Sequence, residues 1–280
     1  MSDFLNSVVP SAPLVPTLFN PRVLVIYGGY KTGKSKLAEF ISTHKRGLWL
    51  DCEDGSEGCG GVRINILRKV RELNAGKEPR EQLGPLAFLL KLCTDLAAEP
   101  SPRFDYLVID KLDNVEEWAE RRATAYYKST IIGRNFTGNS VLELEKGGGY
   151  KHLQEEFRKV WNVVVAAAPR VVFLGSLRDR QIDKTDSLMS NNDLDLTGKV
   201  RKIAVGFSDT TGYLYREKDG SNWISFQTND VGTFSGSRIE RLSGQRFRLS
   251  WHEQDDAARP ETRRLVVDWD KLFVPEGAAK

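Results

Sequence analysis

Cysteine is scarce in this chain of 280 residues, where only Cys52, Cys59 and Cys93 occur. An odd number of cysteines without a Cys-x-x-Cys pair argues against both a disulfide framework and a cysteine zinc site. Free cysteines of this kind are ordinarily small buried residues of proteins in reducing compartments. The three histidines are far apart and show no metal-ligand spacing, so the sequence predicts no histidine metal site.

Long apolar runs are also missing. The longest are Val23–Tyr27, Val163–Ala168 and Val171–Leu174, whereas a membrane-spanning helix needs roughly 20 apolar residues. Residues 1–20 lack the basic start and apolar centre of a secretory signal. We therefore expect a cytoplasmic protein without a membrane partner. The alternative, binding to a membrane surface, would need a strongly basic amphipathic helix, and none stands out.

Neither sign of charge is in large excess, because 41 lysines and arginines stand against 38 aspartates and glutamates, for a formal net charge of +3. This balance neither requires nor excludes a nucleic-acid partner, so the clustering of the basic residues matters more than their number. The apolar fraction of 40% and the charged fraction of 28% are ordinary for a globular protein.

Proline spacing marks the start of the chain. Pro10, Pro13, Pro16 and Pro21 forbid a continuous helix there, and we predict an extended proline-rich arm over residues 1–22. We then predict one α/β domain over residues 23–252 and a charged tail over residues 253–280.

Strand-like and helical segments alternate through most of that domain, which indicates parallel strands joined by crossover helices. The predicted strands are Val23–Tyr27, Gly47–Asp51, Phe104–Asp110 and Val171–Gly175, and the predicted helices are Lys34–His44, Ile64–Leu73, Leu83–Ala98, Val115–Tyr127 and Tyr150–Ala168.

The pattern changes after the fourth predicted strand. Residues 178–200 are polar, and we expect a mobile segment. Farther on, Asp219-Gly220 is a hairpin signal, and strand-like segments predict antiparallel additions to the sheet. These segments are Lys202–Phe207, Thr211–Arg216, Trp223–Thr228 and Arg238–Leu242, with one late strand-like piece, Arg264–Trp269, in the tail.

The segment Gly28-Gly29-Tyr30-Lys31-Thr32-Gly33-Lys34-Ser35 matches the phosphate-loop pattern GxxxxGK[ST]. An apolar strand precedes it and a helix follows, which is the context that the pattern requires. Glycines let backbone N–H groups point at phosphate oxygens, and the helix adds its positive dipole end. Lys34 would neutralise the β- and γ-phosphates, and the Ser35 hydroxyl would coordinate Mg²⁺. The sequence thus predicts ATP and Mg²⁺ as ligands; a chance glycine turn before a helix is the alternative.

A second strand should end in an acidic residue near the magnesium. The apolar run Tyr106–Ile109 closes on Asp110, whose carboxylate would hold Mg²⁺ directly or through water. Asp113 and Glu116 follow closely as rival assignments. The structural alternative is that Asp110 caps the next helix.

Hydrolysis also needs a group that orients the attacking water. Glu53 follows the strand Gly47–Asp51, and adjacent parallel strands bring their carboxyl ends to the edge that carries the phosphate loop. Glu53 could there reach a water in line with the γ-phosphate. The alternative is a solvated loop carboxylate, because Asp54 and Glu57 lie beside it.

The order of these features resembles that of RecA- and RadA-type ATPases. More closely, the chain is similar to phage-encoded nucleotide-binding proteins with a minimal RecA core, some of which act as single-strand annealing proteins in recombination. The resemblance spans about residues 23–245 and is carried by Tyr27–Leu37, Leu48–Gly55, Tyr106–Trp118, Gly149-Tyr150, Val171–Leu177 and Ser208–Leu214.

The resemblance implies a RecA-like P-loop NTPase core: a mostly parallel sheet with helices on both faces and antiparallel C-terminal strands. It also implies an ATPase in which Glu53 is the catalytic base, beside Lys34 and Asp110. RecA-like enzymes often place Gln or His after the fourth strand to sense the γ-phosphate, and here Ser176 is a weak substitute.

A paired lysine finger that reaches a neighbouring protomer is another feature of that group, and no clean copy is found. The nearest candidates are Lys199, Arg201 and Lys202. A cation there could stabilise transition-state charge in trans. The alternative is a basic strand edge that faces solvent.

Two loops of RecA-like proteins face DNA, and the resemblance places them at roughly residues 128–151 and 178–202. Basic residues near aromatics suit a single strand, because cations follow phosphates and rings stack on bases. Five aspartates dilute the second loop, so a solvated mobile loop is the alternative there. The candidate DNA contacts are Lys128, Arg134, Lys151, Arg178, Arg180 and Lys184.

Two functions from different classes follow from these features. The first is a Mg²⁺-dependent ATPase that acts on single-stranded DNA in phage-type recombination, annealing or replication. It would work as a homo-oligomer in the host cytoplasm, with a single-strand-binding protein as a candidate partner. The second is a nucleotide-switched protein-interaction module with little hydrolysis and no DNA binding. A small-molecule kinase is less favoured, because the region after the fourth strand lacks an arginine-rich lid.

We predict that Lys34→Ala abolishes ATP binding while the fold survives, because this lysine supplies the positive charge that faces the phosphates. Equilibrium binding of ATP in the presence of Mg²⁺ measures the effect, and circular dichroism checks the fold. Wild-type affinity in a folded variant would place the nucleotide elsewhere.

Overall fold

The computed structural model describes residues 19–181, 190–228, 234–254 and 263–274, with the backbone alone at 179–181, 190–192, 254 and 263. Most of the predicted arm, Lys184 and part of the predicted tail lie outside these residues, as does the side chain of Arg180.

Eleven described strands form one connected sheet. They are β1 (Val23–Gly28), β2 (Gly47–Asp51), β3 (Arg63–Asn65), β4 (Tyr106–Asp110), β5 (Arg170–Gln181), β6 (Ser190–Leu194), β7 (Thr210–Arg216), β8 (Asn222–Ser225), β9 (Gly236–Ser237), β10 (Arg246–Gln254) and β11 (Arg263–Val267). The strand order is β11-β10-β8-β7-β1-β5-β4-β2-β3, with β6 paired to β5 and β9 paired to β7.

The central part of the sheet is parallel and the C-terminal part is antiparallel. Six neighbouring strands run parallel to one another: β3, β2, β4, β5, β1 and β7. Beyond them each strand is antiparallel to the one before it, β8 to β7, β10 to β8 and β11 to β10. The predicted mixed sheet is confirmed, with one correction: β7 was expected to be antiparallel, but Gly28 of β1 pairs in parallel with Leu214 of β7. The reason is that a helix precedes β7, and a crossover connection returns the chain in the parallel direction.

Six helices surround the sheet in the described part of the chain: α1 (Lys34–His44), α2 (Ile66–Asn74), α3 (Pro85–Ala97), α4 (Leu112–Ser129), α5 (Gly149–Ala166) and α6 (Gly198–Phe207). Their ends follow local chemistry. Asn65 caps α2 by accepting a hydrogen bond from the Arg68 backbone N–H, and Pro85 occupies the first turn of α3, where its missing N–H costs nothing. None of these helices is long and apolar enough to cross a membrane.

Both faces of the sheet are covered because successive residues of a strand point to opposite sides. Val23, Val25 and Tyr27 of β1 pack in one apolar core with α2 to α6. Leu24 and Ile26 pack in a second core with α1 and with the C-terminal turn that contains Trp269. The predicted helices on both faces are therefore confirmed.

Two of the predicted strands are wrong. The segment Lys202–Phe207 belongs to α6, because Val200, Ile203 and Ala204 form one buried face at helical spacing. The segment Arg238–Leu242 is a turn, closed by a backbone hydrogen bond from Leu242 to Ile239.

The polar segment 178–200, expected to be mobile, contains ordered structure in its described part. The end of β5 pairs with β6 over Leu177–Gln181 and Ser190–Leu194, and the first residues of α6 follow. Polar composition did not prevent strand pairing, because backbone groups form the ladder and Leu194 is buried.

Arg241 joins the two ends of the described chain. Its guanidinium donates to the carbonyl oxygens of Phe19 (3.3 Å), Lys271 (2.8 Å) and Leu272 (2.9 Å) and to Asn20 Oδ1 (3.2 Å). Arg241, inside the predicted domain, thus contacts residues of both the predicted arm and the predicted tail. The division into arm, domain and tail stays a prediction.

We predict that Arg241→Ala destabilises the fold by about 2–4 kcal/mol, because it leaves partly buried acceptors without a donor. Urea denaturation followed by circular dichroism measures the loss. Arg121→Ala, which breaks an exposed ion pair with Glu117 on α4, is the matched control and should change stability by less than about 0.5 kcal/mol. Equal effects of the two substitutions would contradict the role of Arg241.

Candidate functional site

The phosphate-loop segment leaves β1 at Gly28 and enters α1 at Lys34. Two of its residues have left-handed backbone conformations, Lys31 with φ 60° and Gly33 with φ 105°. The Thr32 hydroxyl donates to the Gly29 carbonyl at 2.9 Å. From outside the loop, Arg216 at the end of β7 donates to the Lys31 carbonyl at 2.6 Å. Contacts within the loop and from the neighbouring strand thus hold its shape.

Gly28 is required by the close approach of β7. A Cβ atom at this position would lie 2.1 Å from the Leu214 carbonyl oxygen, a distance that no side chain tolerates. The first glycine of the pattern therefore serves the sheet as well as the loop.

Lys34 folds back over the loop. Its Nζ donates to the carbonyl oxygens of Gly28 and Gly29, both at 2.7 Å. Burial lowers the pKa of Lys34, and the nearby negative charge of Asp110 opposes this shift. Neutral carbonyls are weaker partners for an ammonium group than charged oxygens are, so an anion entering the loop would compete for Lys34.

Ser35 and Asp110, the two proposed magnesium ligands, lie side by side. Ser35 Oγ donates to Asp110 Oδ2 at 3.3 Å. Burial, and next the negative charge of Asp51, raise the pKa of Asp110 to about 6, against the hydrogen bond from Ser35 and the charge of Lys34. A partly buried carboxylate beside a hydroxyl is a hard oxygen donor set that fits Mg²⁺.

Ser35 and Asp110 are two of the ligands that a magnesium ion would need. Within the described ranges no group of three or more His, Cys, Asp or Glu residues could hold a metal ion. Mg²⁺ usually keeps several waters and binds through one or two protein oxygens together with substrate phosphates. The donor set of one hydroxyl and one carboxylate suits that mode of binding.

The rival acidic residues have other partners. Asp113 Oδ1 accepts from the Ser176 hydroxyl at 3.2 Å, and Glu116 accepts from the Thr197 backbone N–H at 3.0 Å. Asp110 is the acid that contacts Ser35, which favours it over both rivals.

Asp51 and Glu53 follow β2 at the same edge. Asp51 lies opposite Asp110 in the parallel register and is buried. It accepts hydrogen bonds from the Glu53 backbone N–H (2.9 Å), from Asn65 Nδ2 (3.0 Å) and from the Ser56 hydroxyl. This network fixes the backbone of Glu53, while its side chain remains 60% exposed.

Lys111 also reaches this edge, and the sequence interpretation missed it. Its Nζ lies 3.7 Å from Glu53 Oε1 and 3.5 Å from Asp113 Oδ2, and 5.9 Å from the centre of the Tyr30 ring. The one sequence signal was a basic residue directly after the strand-terminal Asp110. Arg216 was missed as well, and nothing local in the sequence marks its contact with the loop.

The predicted DNA contacts lie on separate elements. The Nζ atom of Lys128 lies 5.8 Å from the centre of the Phe136 ring. Arg134 is exposed in the loop after α4. Lys151 Nζ on α5 is 3.9 Å from Glu155. Arg178 Nε on β5 is 3.7 Å from Asp195.

The three finger candidates lie on α6 rather than on the expected strand edge. Lys199 and Lys202 are exposed. Arg201 forms an ion pair with buried Asp193 of the same chain. Its charge is therefore already engaged inside the chain, and the role of all three residues in trans stays a prediction.

Comparison with known proteins identifies the family. A sequence profile of the AAA domain family matches residues 20–239. The chain belongs to the AAA domain family. This AAA domain has the predicted mostly parallel sheet with antiparallel C-terminal strands, and its phosphate loop follows β1. No curated protein matches the sequence of this chain.

One solved structure that matches this AAA domain is the crystal structure of the RadB recombinase. The match has a TM-score of 0.39 and 14% sequence identity, and it covers 82% of this chain and 89% of that chain.

We predict that Asp110→Asn stabilises the nucleotide-free AAA domain at pH 7.5. A raised pKa means that the folded state holds the proton more tightly than the unfolded state, so stability falls as pH rises from about 4 to about 6. Asparagine removes this cost, and we expect a gain on the order of 1–3 kcal/mol at pH 7.5 that vanishes near pH 4.

Thermal unfolding at both pH values measures this effect. The control is Asp95→Asn, at an exposed position on α3, which should change little. A lower melting temperature of the Asp110 variant at pH 7.5 would contradict the unfavourable burial of this carboxylate.

Proposed function

We propose that this AAA domain is a magnesium-dependent ATPase that acts on single-stranded DNA in recombination, annealing or replication of the phage type. The observation that carries the proposal is the convergence of Lys34, Ser35, Asp110 and Glu53 on one edge of the sheet. An ammonium group, a hydroxyl and two carboxylates there are the groups that phosphoryl transfer from ATP to water requires.

Residues Gly28–Ser35 bind the triphosphate. Backbone N–H groups and the first turn of α1 face the phosphate oxygens, and Lys34 moves from the carbonyls of Gly28 and Gly29 to the β- and γ-phosphates. Ser35 and Asp110 hold Mg²⁺, which when bound neutralises phosphate charge. Asp110 ligates in its ionised form.

Glu53 orients the attacking water. The water oxygen forms a bond to the γ-phosphorus while the bond to the bridging oxygen of ADP breaks, and the Glu53 carboxylate accepts the proton. Its backbone is held by Asp51 and its side chain is exposed, so the carboxylate has room to turn toward the γ-phosphate.

The DNA part of the proposal is supported by the surface around the α4–α5 connection. Lys128, Arg134 and Lys151 lie there, and Tyr126 near the end of α4 is 62% exposed. Cations with nearby aromatic groups suit a single strand. Arg178, Arg180 and Lys184 extend this proposal to the second loop.

The assembly is proposed to be a homo-oligomer in the host cytoplasm, with Lys199, Arg201 or Lys202 acting across the subunit boundary. Intermolecular charge stabilisation of this kind would couple hydrolysis to assembly. A single-strand-binding protein is the proposed further partner.

A nucleotide-switched protein-interaction module is the second candidate, and one observation favours it. Two adjacent isoleucines at 84% exposure suit a protein partner, since contiguous exposed apolar groups commonly mark interfaces. Such a module would bind ATP and a protein with little hydrolysis.

The rate of ATP hydrolysis with and without single-stranded DNA separates the two functions. We expect stimulation by DNA, with DNA binding that weakens steeply between about 50 and 200 mM salt. Absence of DNA binding at about 50 mM salt would reject the DNA part and favour the second candidate.

Glu53→Gln tests the hydrolytic assignment within the same assay. This variant should bind ATP normally and lose turnover by about 100-fold or more, because an amide accepts no proton from water. The control is Glu57→Gln, in the same loop, whose carboxylate pairs with Arg68 and which should keep wild-type turnover. Full activity of the Glu53 variant would remove this residue from the mechanism.

A further inference from the structure

Lys111 is a second ammonium group at the nucleotide edge, and the proposed mechanism does not use it. Its side chain is only 18% exposed. Unlike Lys34, it belongs neither to the phosphate loop nor to α1, and it follows Asp110 at the end of β4.

The backbone of Lys111 is held in an unusual conformation. Its φ of 82° and ψ of 68° are left-handed, a conformation that is unfavourable for a residue with a side chain. Two hydrogen bonds maintain it: the Lys111 N–H donates to the Leu174 carbonyl at 3.0 Å, and the Asn114 N–H donates to the Lys111 carbonyl at 3.1 Å. The conformation sends the side chain toward the loops after β1 and β2 rather than along α4.

The side chain connects three strand ends. Nζ lies 3.7 Å from Glu53 after β2 and 3.5 Å from Asp113 at the start of α4. Asp113 in turn accepts from Ser176 of β5. On its other side the ammonium group faces the ring of Tyr30, which is 86% exposed on the phosphate loop. Lys111 therefore lies between the phosphate loop and the proposed catalytic base.

We propose that Lys111 is a positioning residue that detects the third phosphate of the nucleotide and releases Glu53 in response. In the nucleotide-free site the ammonium group holds the Glu53 carboxylate. A γ-phosphate draws the ammonium group away, and Glu53 is then free to orient water. The inference rests on the proposed ATPase function and adds a residue that distinguishes ATP from ADP.

The relative strengths of the contacts support this exchange. Both ion pairs of Lys111 are longer than 3.4 Å, and the Glu53 side chain is largely exposed, so each pair contributes little. Phosphate oxygens with more than one negative charge form stronger hydrogen bonds with an ammonium group. ADP has no third phosphate, so Lys111 stays with Glu53 when ADP is bound.

The same arrangement fills a gap in the sequence interpretation, where Ser176 was a weak substitute for a γ-phosphate sensor. Ser176 contacts Asp113, and Asp113 contacts Lys111. Ser176 of β5 is thus connected to Lys111 through Asp113.

The test compares the affinities for a non-hydrolysable ATP analogue and for ADP, each with Mg²⁺, by isothermal titration. Lys111→Ala should weaken binding of the analogue by about 10-fold, the loss of one charge-assisted contact, and leave ADP affinity within about 2-fold. Lys111→Arg should retain most of the preference for the triphosphate. Lys91→Ala, which removes an exposed lysine on α3, is the matched control and should match the wild type.

Equal weakening for both nucleotides would show a general effect on the site and overturn the proposal, as would unchanged affinity for both. If the alanine variant melts well below the wild type, Lys111→Met, which keeps the apolar stem, takes its place with the same expected ratio. A wild-type protein that binds neither nucleotide would contradict both the proposed function and this inference. Nucleotide binding with an unchanged ratio in the variant would sink the inference alone.

Discussion

The site depends on how an ammonium group is held at the junction of β1 and α1. Lys34 donates to the Gly28 and Gly29 carbonyls at 2.7 Å, inside a loop whose N–H groups and helix end favour negative charge. A partly buried ammonium group that donates its hydrogen bonds to neutral carbonyls gains by meeting an anion. The acidic residues around it show the opposite imbalance. Asp110 and Asp51 are neighbouring carboxylates. Burial and the repulsion between them raise the pKa of Asp110, and a bound cation would reduce that repulsion.

The sheet places these charges together without any of them being adjacent in sequence. Parallel strands β1, β2 and β4 end at one edge with Gly28, Asp51 and Asp110. Ser176, within the longer strand β5, pairs with Gly28 at the same edge. Strand β7 closes the other side, since Arg216 holds the Lys31 carbonyl and Leu214 leaves no room for a side chain at Gly28. Strand β7, which is parallel to β1, thus supports the phosphate loop from within the same sheet.

The sequence was sufficient for features that short-range chemistry decides. The bounds of α1 and β2 were predicted as they occur, because continuous apolar strands and a phosphate-loop pattern are local signals. The prediction of a strand at Lys202–Phe207 was wrong, because a short apolar segment fits a strand and a helix equally well. The buried face of this helix depends on the sheet against which it packs. Lys111 could not be foreseen, since its direction is set by a left-handed turn that Leu174 stabilises from another strand.

The most direct test of the nucleotide site is a crystal structure with a non-hydrolysable ATP analogue and Mg²⁺. The phosphates should lie in the loop Gly28–Ser35, with Lys34 Nζ moved from the two glycine carbonyls to phosphate oxygens and the metal between Ser35 and Asp110. An empty loop, with Lys34 still on Gly28 and Gly29 and the nucleotide bound at another surface, would contradict the assignment of this edge as the site.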